Sequence, residues 1–201
     1  MQTPFLQGER VYLRPLMESD AAGAYPDWFN DEEVCAGNSH HVFPYTQEAA
    51  LGYIRHAREA RDRLILAVVQ RDGDRHIGTI SLQKIHPVYR AAEFAIMIGE
   101  RSAWGQGYSR EASRLICDHG FAAMNLHRIA CGTFADNTAM RKLAAYLGMK
   151  EEGVRRHAAF KRGRWVDVVE YGVLADEYRQ HWAAGEEGAA APSGGTAAPD
   201  A

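Results

Sequence analysis

The chain has 201 residues, a length that suits one domain with a substantial hydrophobic core. Hydrophobic residues make up 46% of it and charged residues 24%, and the formal net charge of −3 argues against a nucleic-acid-binding scaffold. No run approaches about 18 uncharged apolar residues, so we expect no membrane-spanning helix and no membrane partner. Residues 1–10 lack a basic segment followed by an apolar run, so we also expect no secretory signal.

The cysteines favour a reducing compartment. Cys35, Cys117 and Cys131 are odd in number and show no CxxC spacing, so they predict neither a disulfide framework nor a zinc site. We expect Cys117 and Cys131 to behave as small buried apolar residues. A cytoplasmic protein that holds no metal is the resulting expectation.

The first predicted elements are a strand and two helices. Residues 10–16 alternate charged and apolar side chains, as a strand does. A weak helix is expected from residue 18 to about 29, because Gly23 and Pro26 interrupt it. Thr46 is the predicted N-cap of a second helix, which carries one apolar stripe.

The remaining elements alternate in type. Residues 64–69 and 76–85 predict a hairpin around an Asp-Gly turn. The later elements are strand 92–98, helix 107–124, strand 128–134, helix 137–147, and a terminal hairpin of 154–160 with 166–174. The order β-α-α-β-β-β-α-β-α-β-β is typical of an α/β fold with a mixed sheet.

The end of the chain differs in composition from the rest. Residues 183–201 contain no large apolar side chain and cannot bury enough surface to offset their ordering entropy. We therefore predict one folded domain over residues 1–182 and a disordered tail over 183–201.

The most informative stretch joins the apolar strand 92–98 to the helix that follows it. Gly105 and Gly107 let the backbone bend close to a ligand, and the amides of Gly105, Gln106, Gly107 and Tyr108 can then point outward at a helix start. Such a start attracts an anion such as pyrophosphate. Neither a Walker loop nor a dinucleotide fingerprint fits this spacing, and a plain structural turn is the alternative.

The residues of this loop carry a family resemblance. Trp104-Gly105-Gln106-Gly107-Tyr108, followed by Glu111-Ala112, resembles the acetyl-CoA signature of the GNAT superfamily of N-acetyltransferases. The nearest branch includes ribosomal-protein alanine, spermidine and amino-sugar N-acetyltransferases. The similarity spans about residues 8–180, through the ordered segments 10–16, 76–78, 92–98, 126–129 and 147–153.

The resemblance implies a GNAT-like, mostly antiparallel central sheet with flanking helices. It also implies that a splayed strand pair holds acetyl-CoA as cosubstrate, beside backbone groups of Ile96, Met97 and Ile98. Asn137 would contact the cofactor as well, or act as a helix N-cap, or do both. The amine attacks the thioester directly in this family, so no metal is needed.

An alkyl ammonium has a pKa of about 10.4, so the acceptor must lose a proton before it attacks. Glu93 is our candidate general base, because a carboxylate in an apolar strand needs a task or a partner. A structural salt bridge is the alternative explanation for Glu93. His40, His41 and His86 are the other candidates for the base.

Two departures from the family leave the general acid open. Met140 stands where many relatives have Ser, and Ala144 stands where many have a Tyr that protonates the thiolate. Tyr146 lies two residues further on, at a different angle around the helix. Solvent could protonate the thiolate instead.

The acceptor site is expected in the variable segment between the first two strands. Trp28, Asn30, Glu33 and His41 are the substrate-binding residues that we select from it. The expected partner is a small-molecule amine, such as an amino sugar or a polyamine. The alternatives are an N-terminal acetyltransferase of a ribosomal protein and a catalytically silent acetyl-CoA-binding module. A homodimer is compatible with the sequence.

Overall fold

Alternating apolar residues place one sheet at the centre of the molecule. The computed structural model describes residues 3–190, with side chains described through residue 184. The strands are β1 Leu6–Gln7, β2 Val11–Pro15, β3 Leu64–Gln70, β4 Arg75–His86, β5 Ala91–Ile98, β6 Arg128–Phe134, β7 Lys150–Lys161 and β8 Arg164–Leu174. Within the described range they form one sheet in the order β1-β2-β3-β4-β5-β6-β8-β7. Neighbouring strands are antiparallel except β5 and β6, which are parallel.

Helices cover both faces of the sheet. They are α1 Tyr25–Asn30, α2 Gln47–Glu59, α3 Tyr108–Ala122, α4 Thr138–Tyr146 and α5 Ala175–Ala190. On one face, α3 packs against β2, β4, β5 and β6, and α4 packs against β6, in the larger core. On the opposite face, α1 and α2 form a second core with residues of β2 and β3. Alternation along each strand explains the division, since successive side chains point to opposite faces.

The predicted mixed α/β fold is confirmed, with local differences. The expected weak helix is split into a 3₁₀ turn at Glu18–Ala22 and the separate helix α1. Pro26 lies in the first turn of α1, where its missing N–H breaks no bond, so it starts a helix rather than interrupting one. The short strand β1 was not predicted. Thr46 caps α2 as expected, since its hydroxyl accepts from the Ala49 N–H at 3.1 Å.

The helix α5 runs from Ala175 to Ala190, past the boundary predicted at residue 182; the division into a folded domain and a tail stays a prediction. Alanine and glutamate are good helix formers, and the first half of α5 is anchored by Tyr178, which is buried against Phe121. Residues 183–190 continue α5. The remainder of the predicted tail, 191–201, lies outside the described residues.

The three cysteines are free and buried, as expected for Cys117 and Cys131. Burial raises the pKa of the Cys131 thiol to about 12, and nearby Glu170 acts in the same direction. These thiols therefore stay protonated, and they serve as small apolar residues of the core.

A buried ionic cluster fastens the α1 side of the sheet. Asp20 accepts two hydrogen bonds from Arg14, at 2.7 and 2.8 Å, and one from the Met17 N–H at 2.8 Å. The Nδ1 atom of His76 lies 3.3 Å from the same carboxylate. Although burial opposes ionisation, the bonds from His76, Arg14 and Met17 hold the pKa of Asp20 far below its ordinary value. The cluster joins β2 to β4 and fixes the turn that leads into α1.

Replacing Asp20 with Asn should destabilise the fold, because Arg14 would remain buried without its counter-charge. Removing one partner of a buried pair costs about 3–5 kcal/mol, so we expect the Tm to fall by roughly 10 °C. Because folding lowers the pKa of Asp20, this residue adds to the free energy of unfolding at pH values above the ordinary carboxyl pKa. That contribution is lost as pH falls through the folded pKa. The Tm difference between wild type and Asp20→Asn should therefore be largest at neutral pH and should shrink in strong acid.

Glu18→Gln is the matched control, since Glu18 pairs with Arg55 on the exposed surface. It should leave the Tm nearly unchanged. Equal melting temperatures for Asp20→Asn and wild type at neutral pH would contradict the stabilising role of the cluster.

Candidate active site

The parallel strands β5 and β6 part after three residue pairs. Ala91, Ala92 and Glu93 pair with the first residues of β6, and no pairing between the two strands follows among the described residues. Beyond that point β5 continues along β4, and β6 continues along β8. A gap therefore opens between two strand edges toward their carboxyl ends, which is the splayed pair that we expected.

The loop after β5 has the conformation that its two glycines permit. Gly105 and Gly107 have φ values of 72° and 83°, a region that other residues rarely adopt. A Cβ atom built on Gly105 would meet nothing within 4 Å, and one on Gly107 would meet only Arg10, at 3.8 Å. Gly107 directly precedes α3, so the space above these glycines lies at the amino end of a 15-residue helix.

Backbone donors of this loop are unpaired within the described residues. The N–H groups of residues 105 to 109 donate to no other group there, whereas those of Arg110 and Glu111 reach the Gly107 carbonyl. Free donors and the positive end of the α3 dipole suit a phosphate group. The loop thus has the donors and the open space that an anionic ligand requires.

The side chains around the loop hold it against β2 and β5. Trp104 donates its indole N–H to the Ile98 carbonyl at 2.7 Å. Arg10 donates to the Gln106 carbonyl at 2.8 Å, and its guanidinium lies 4.4 Å from the centre of the buried Tyr108 ring. The sequence did not indicate Arg10, because the residue pattern near the first strand carries no information about a loop 96 residues later.

Asn137 lies at the carboxyl end of β6, beside the gap. Its Oδ1 accepts from the Met140 N–H at 3.0 Å, so it caps α4. Its Nδ2 donates to the Gly37 carbonyl at 3.1 Å. The N-cap interpretation is confirmed, and contact with a cofactor stays a prediction.

A cavity of about 400 Å³ opens on the face of β4 and β5 that is covered by α1 and α2. Aromatic rings from α1, α2 and the loop before α2 line the cavity. Polar side chains of β4 and apolar residues near the end of β5 complete the lining. The lining residues are Tyr25, Phe29, Asn38, His40, Tyr45, Tyr53, Ile65, Thr79, Ser81, Gln83, Ala95, Ile96 and Met97. The β5 residues 95–97 therefore border the cavity and also lie in the part of β5 that has left β6.

The cavity is aromatic and contains no carboxylate among its described lining residues. Tyr25 makes edge contacts with Phe29 and Tyr45, at centroid distances of 5.2 and 6.3 Å. Desolvation raises the pKa values of Tyr25, Tyr45 and Tyr53, so these phenols are neutral. Desolvation, together with the charge of Lys161, lowers the pKa of His40.

Glu93 belongs to the last pair between β5 and β6 but does not line the cavity. Its carboxylate lies 2.8 Å from the Lys84 ammonium, and 54% of the side chain is exposed. The salt bridge that we weighed as the alternative is present, with Lys84 as the cation. A general-base role for Glu93 stays a prediction.

Trp28 and Asn30, two expected acceptor residues, have structural contacts instead of cavity contacts. Trp28 is buried, 4.9 Å from the His76 ring, and its indole covers Gly99 so closely that no Cβ would fit there. Asn30 makes two hydrogen bonds to the backbone of Tyr45. Its Oδ1 accepts from the Tyr45 N–H at 2.8 Å, and its Nδ2 donates to the Tyr45 carbonyl at 2.7 Å.

Glu33 and His41, the other two, lie on the surface. Glu33 pairs with Arg101 at 2.5 Å. His41 is exposed, has a φ of 63°, and is absent from the described lining of the cavity. The structure thus keeps the predicted segment but presents other side chains of it to the cavity.

The remaining candidates are distributed elsewhere. His86 stacks on Tyr89 at 4.0 Å, in the turn between β4 and β5. Ala144 is fully buried, and Tyr146 packs against Trp182 at 5.2 Å. Among residues 3–190, no helix is long and apolar enough to cross a membrane. In the same range, no group of three or more His, Cys, Asp or Glu residues could hold a metal ion.

Curated N-acetyltransferases are among the proteins that resemble the chain. It is 28% identical over 186 residues to the uncharacterized N-acetyltransferase p20 of Bacillus licheniformis, covering 86% of this chain and 97% of the relative. It is also 28% identical over 126 residues to the spermidine N(1)-acetyltransferase of Escherichia coli (strain K12), covering 63% of this chain and 66% of that one.

Solved structures share the fold. The spermidine N-acetyltransferase of Vibrio cholerae, in complex with CoA and spermine, matches with a TM-score of 0.77 at 22% identity, over 85% of this chain and 98% of its own. Mycobacterium smegmatis RimJ, in complex with CoA-disulfide, matches with a TM-score of 0.75 at 23% identity, over 87% and 89%. The family model of the acetyltransferase (GNAT) domain matches residues 10–150. With the parted strands and the glycine loop in place, this match shows that the chain belongs to the GNAT family of acetyltransferases.

Proposed function

We propose that the protein transfers the acetyl group of acetyl-CoA to the primary amine of a small molecule by direct attack. One observation carries the proposal: residues 95–97 line a cavity on one face, and their strand edge opens into the gap. An amine in the cavity and an acyl group in the gap would therefore meet across β5. The approach of two bound reactants is itself a large part of catalysis.

The glycine loop is our assignment for the pyrophosphate of acetyl-CoA, which supplies the activated acyl group. The amides of Gly105, Gln106, Gly107 and Tyr108 lie among the free donors described above, and Arg10 adds positive charge beside them. We assign the pantetheine to the β5 edge at Ile96 and Met97, while Ile98 already gives its carbonyl to Trp104. Asn137 would border the same gap.

The cavity favours an amino sugar over a polyamine. Hydroxyls and amides of Thr79, Ser81, Gln83 and Asn38 can bond to a polyol, and the aromatic rings can cover its apolar faces. A polyamine carries further ammonium groups, and charged groups are held best by charged partners. The described lining offers them none. The spermidine N(1)-acetyltransferase relatives make polyamines the second candidate.

Gly107→Val should weaken acetyl-CoA binding, because a branched side chain would fill the space where the pyrophosphate is to lie. Gly73→Val is the matched control: Gly73 has a similar φ of 78° and open surroundings but belongs to the turn before β4. Both variants carry similar backbone strain. Calorimetry should show a loss of affinity of at least about tenfold, or 1.4 kcal/mol, for Gly107→Val alone. Equal affinities in two folded variants would reject this placement.

A panel of amines should distinguish the acceptor classes by the rate of coenzyme A release. We expect kcat/KM for the best amino sugar to exceed that for spermidine by at least about tenfold, given unpaired ammonium groups in the cavity. Hexoses that lack the amino group are the control and should give no release. Preference for spermidine would favour the second candidate. If the protein binds acetyl-CoA but releases no coenzyme A with any amine, it is a catalytically silent binding module.

A further inference from the structure

We propose that His40, rather than Glu93, is the general base that deprotonates the acceptor amine. The inference rests on the proposed function. The location of His40 is the first evidence. His40 lines the same cavity as residues 95–97, so an amine bound there lies beside both the imidazole and the part of β5 that is not paired with β6. Glu93, His41 and His86 are absent from the described lining.

The backbone of His40 is held while its ring remains available. The His40 N–H donates to Asn38 Oδ1 at 2.9 Å, and the Lys161 ammonium donates to the His40 carbonyl at 2.7 Å. The imidazole contacts the Phe29 ring edge-on, with centroids 4.8 Å apart. Within the described residues, no hydrogen bond engages either ring nitrogen, so the ring can accept a proton from a ligand.

The surroundings of His40 favour its neutral imidazole. Desolvation lowers its pKa, and the Lys161 ammonium of β7 acts in the same direction. The facing titratable groups of α1, the loop before α2, and α2 itself are Tyr25, Tyr45 and Tyr53, which are neutral because burial raises their pKa values. At neutral pH the imidazole is therefore in the basic form that the reaction needs.

The proton balance requires one acceptor on the enzyme. The substrate ammonium gives one proton to an imidazole nitrogen of His40, which later passes it to water. The amine nitrogen then forms its bond to the acyl carbon, the carbon–sulfur bond breaks, and the electron pair stays on sulfur. A second proton leaves the new amide nitrogen and neutralises the thiolate. The net products are the acetylated amine, coenzyme A and one proton.

His40→Gln tests the assignment, because it keeps a polar side chain and removes the proton acceptor. General-base loss typically costs about 10²–10⁴-fold, so kcat/KM at neutral pH should fall by that order. The affinity for acetyl-CoA should be unchanged. Wild-type activity should decline as pH falls through the depressed pKa of His40. The activity of the variant should not show this decline at the pKa of His40. It should instead rise steadily with pH, as free amine accumulates.

Two further variants make the outcome decisive. His56→Gln, the same change at an exposed position of α2 outside the described lining, should retain wild-type turnover. Glu93→Gln should retain most of it too. A large loss in Glu93→Gln with none in His40→Gln would overturn the proposal.

Chemical rescue separates proton transfer from a structural role. Added imidazole should restore part of the activity of His40→Ala in a saturable way and leave wild type unaffected. Loss of activity without rescue, and with an unaltered pH profile, would overturn the assignment. An inactive wild-type protein across the amine panel would instead reject the proposed function, so the two failures are distinguishable.

Discussion

The separation of β5 from β6 is the constraint on which the rest of this structure depends. A parallel pair that ends after three residues leaves main-chain polar groups facing a gap. Such groups need partners when they are shielded from water. One of them, the Ile98 carbonyl, receives the Trp104 indole N–H at 2.7 Å. The pairing ends at Glu93, so the gap opens at the end of β5 from which the chain continues to the glycine loop.

Charged side chains tie the turn that follows β5 to the segment that follows α1. Arg101, in the turn before the glycine loop, contacts Asp31 at 2.6 Å and Glu33 at 2.5 Å. Those acids begin the segment that carries His40 and Tyr45 to the cavity. The arrangement links the loop assigned to acetyl-CoA with the segment assigned to the acceptor. Asp31 and Glu33 thus share one protein partner, Arg101.

Several residues that look functional in the sequence are needed by the fold. Trp28 fills the space over Gly99, and Asn30 fixes the backbone of Tyr45 with two hydrogen bonds. Trp28 is buried, and a buried aromatic side chain needs close packing of this kind. Tyr45 gains its place in the cavity from the Asn30 bonds. The acceptor segment is therefore positioned by the residues that we had expected to touch the substrate.

The sequence by itself determined the features that depend on local geometry. Gly105 and Gly107 predict a loop with positive φ values, and the apolar run at residues 64–69 predicts a buried strand, since both follow from neighbouring residues. Only the tertiary structure decided that His40 lines the cavity and His41 does not, and that Glu93 meets Lys84. The physical reason is that side chains of an irregular loop, and partners across a hairpin, are directed by contacts distant in the chain.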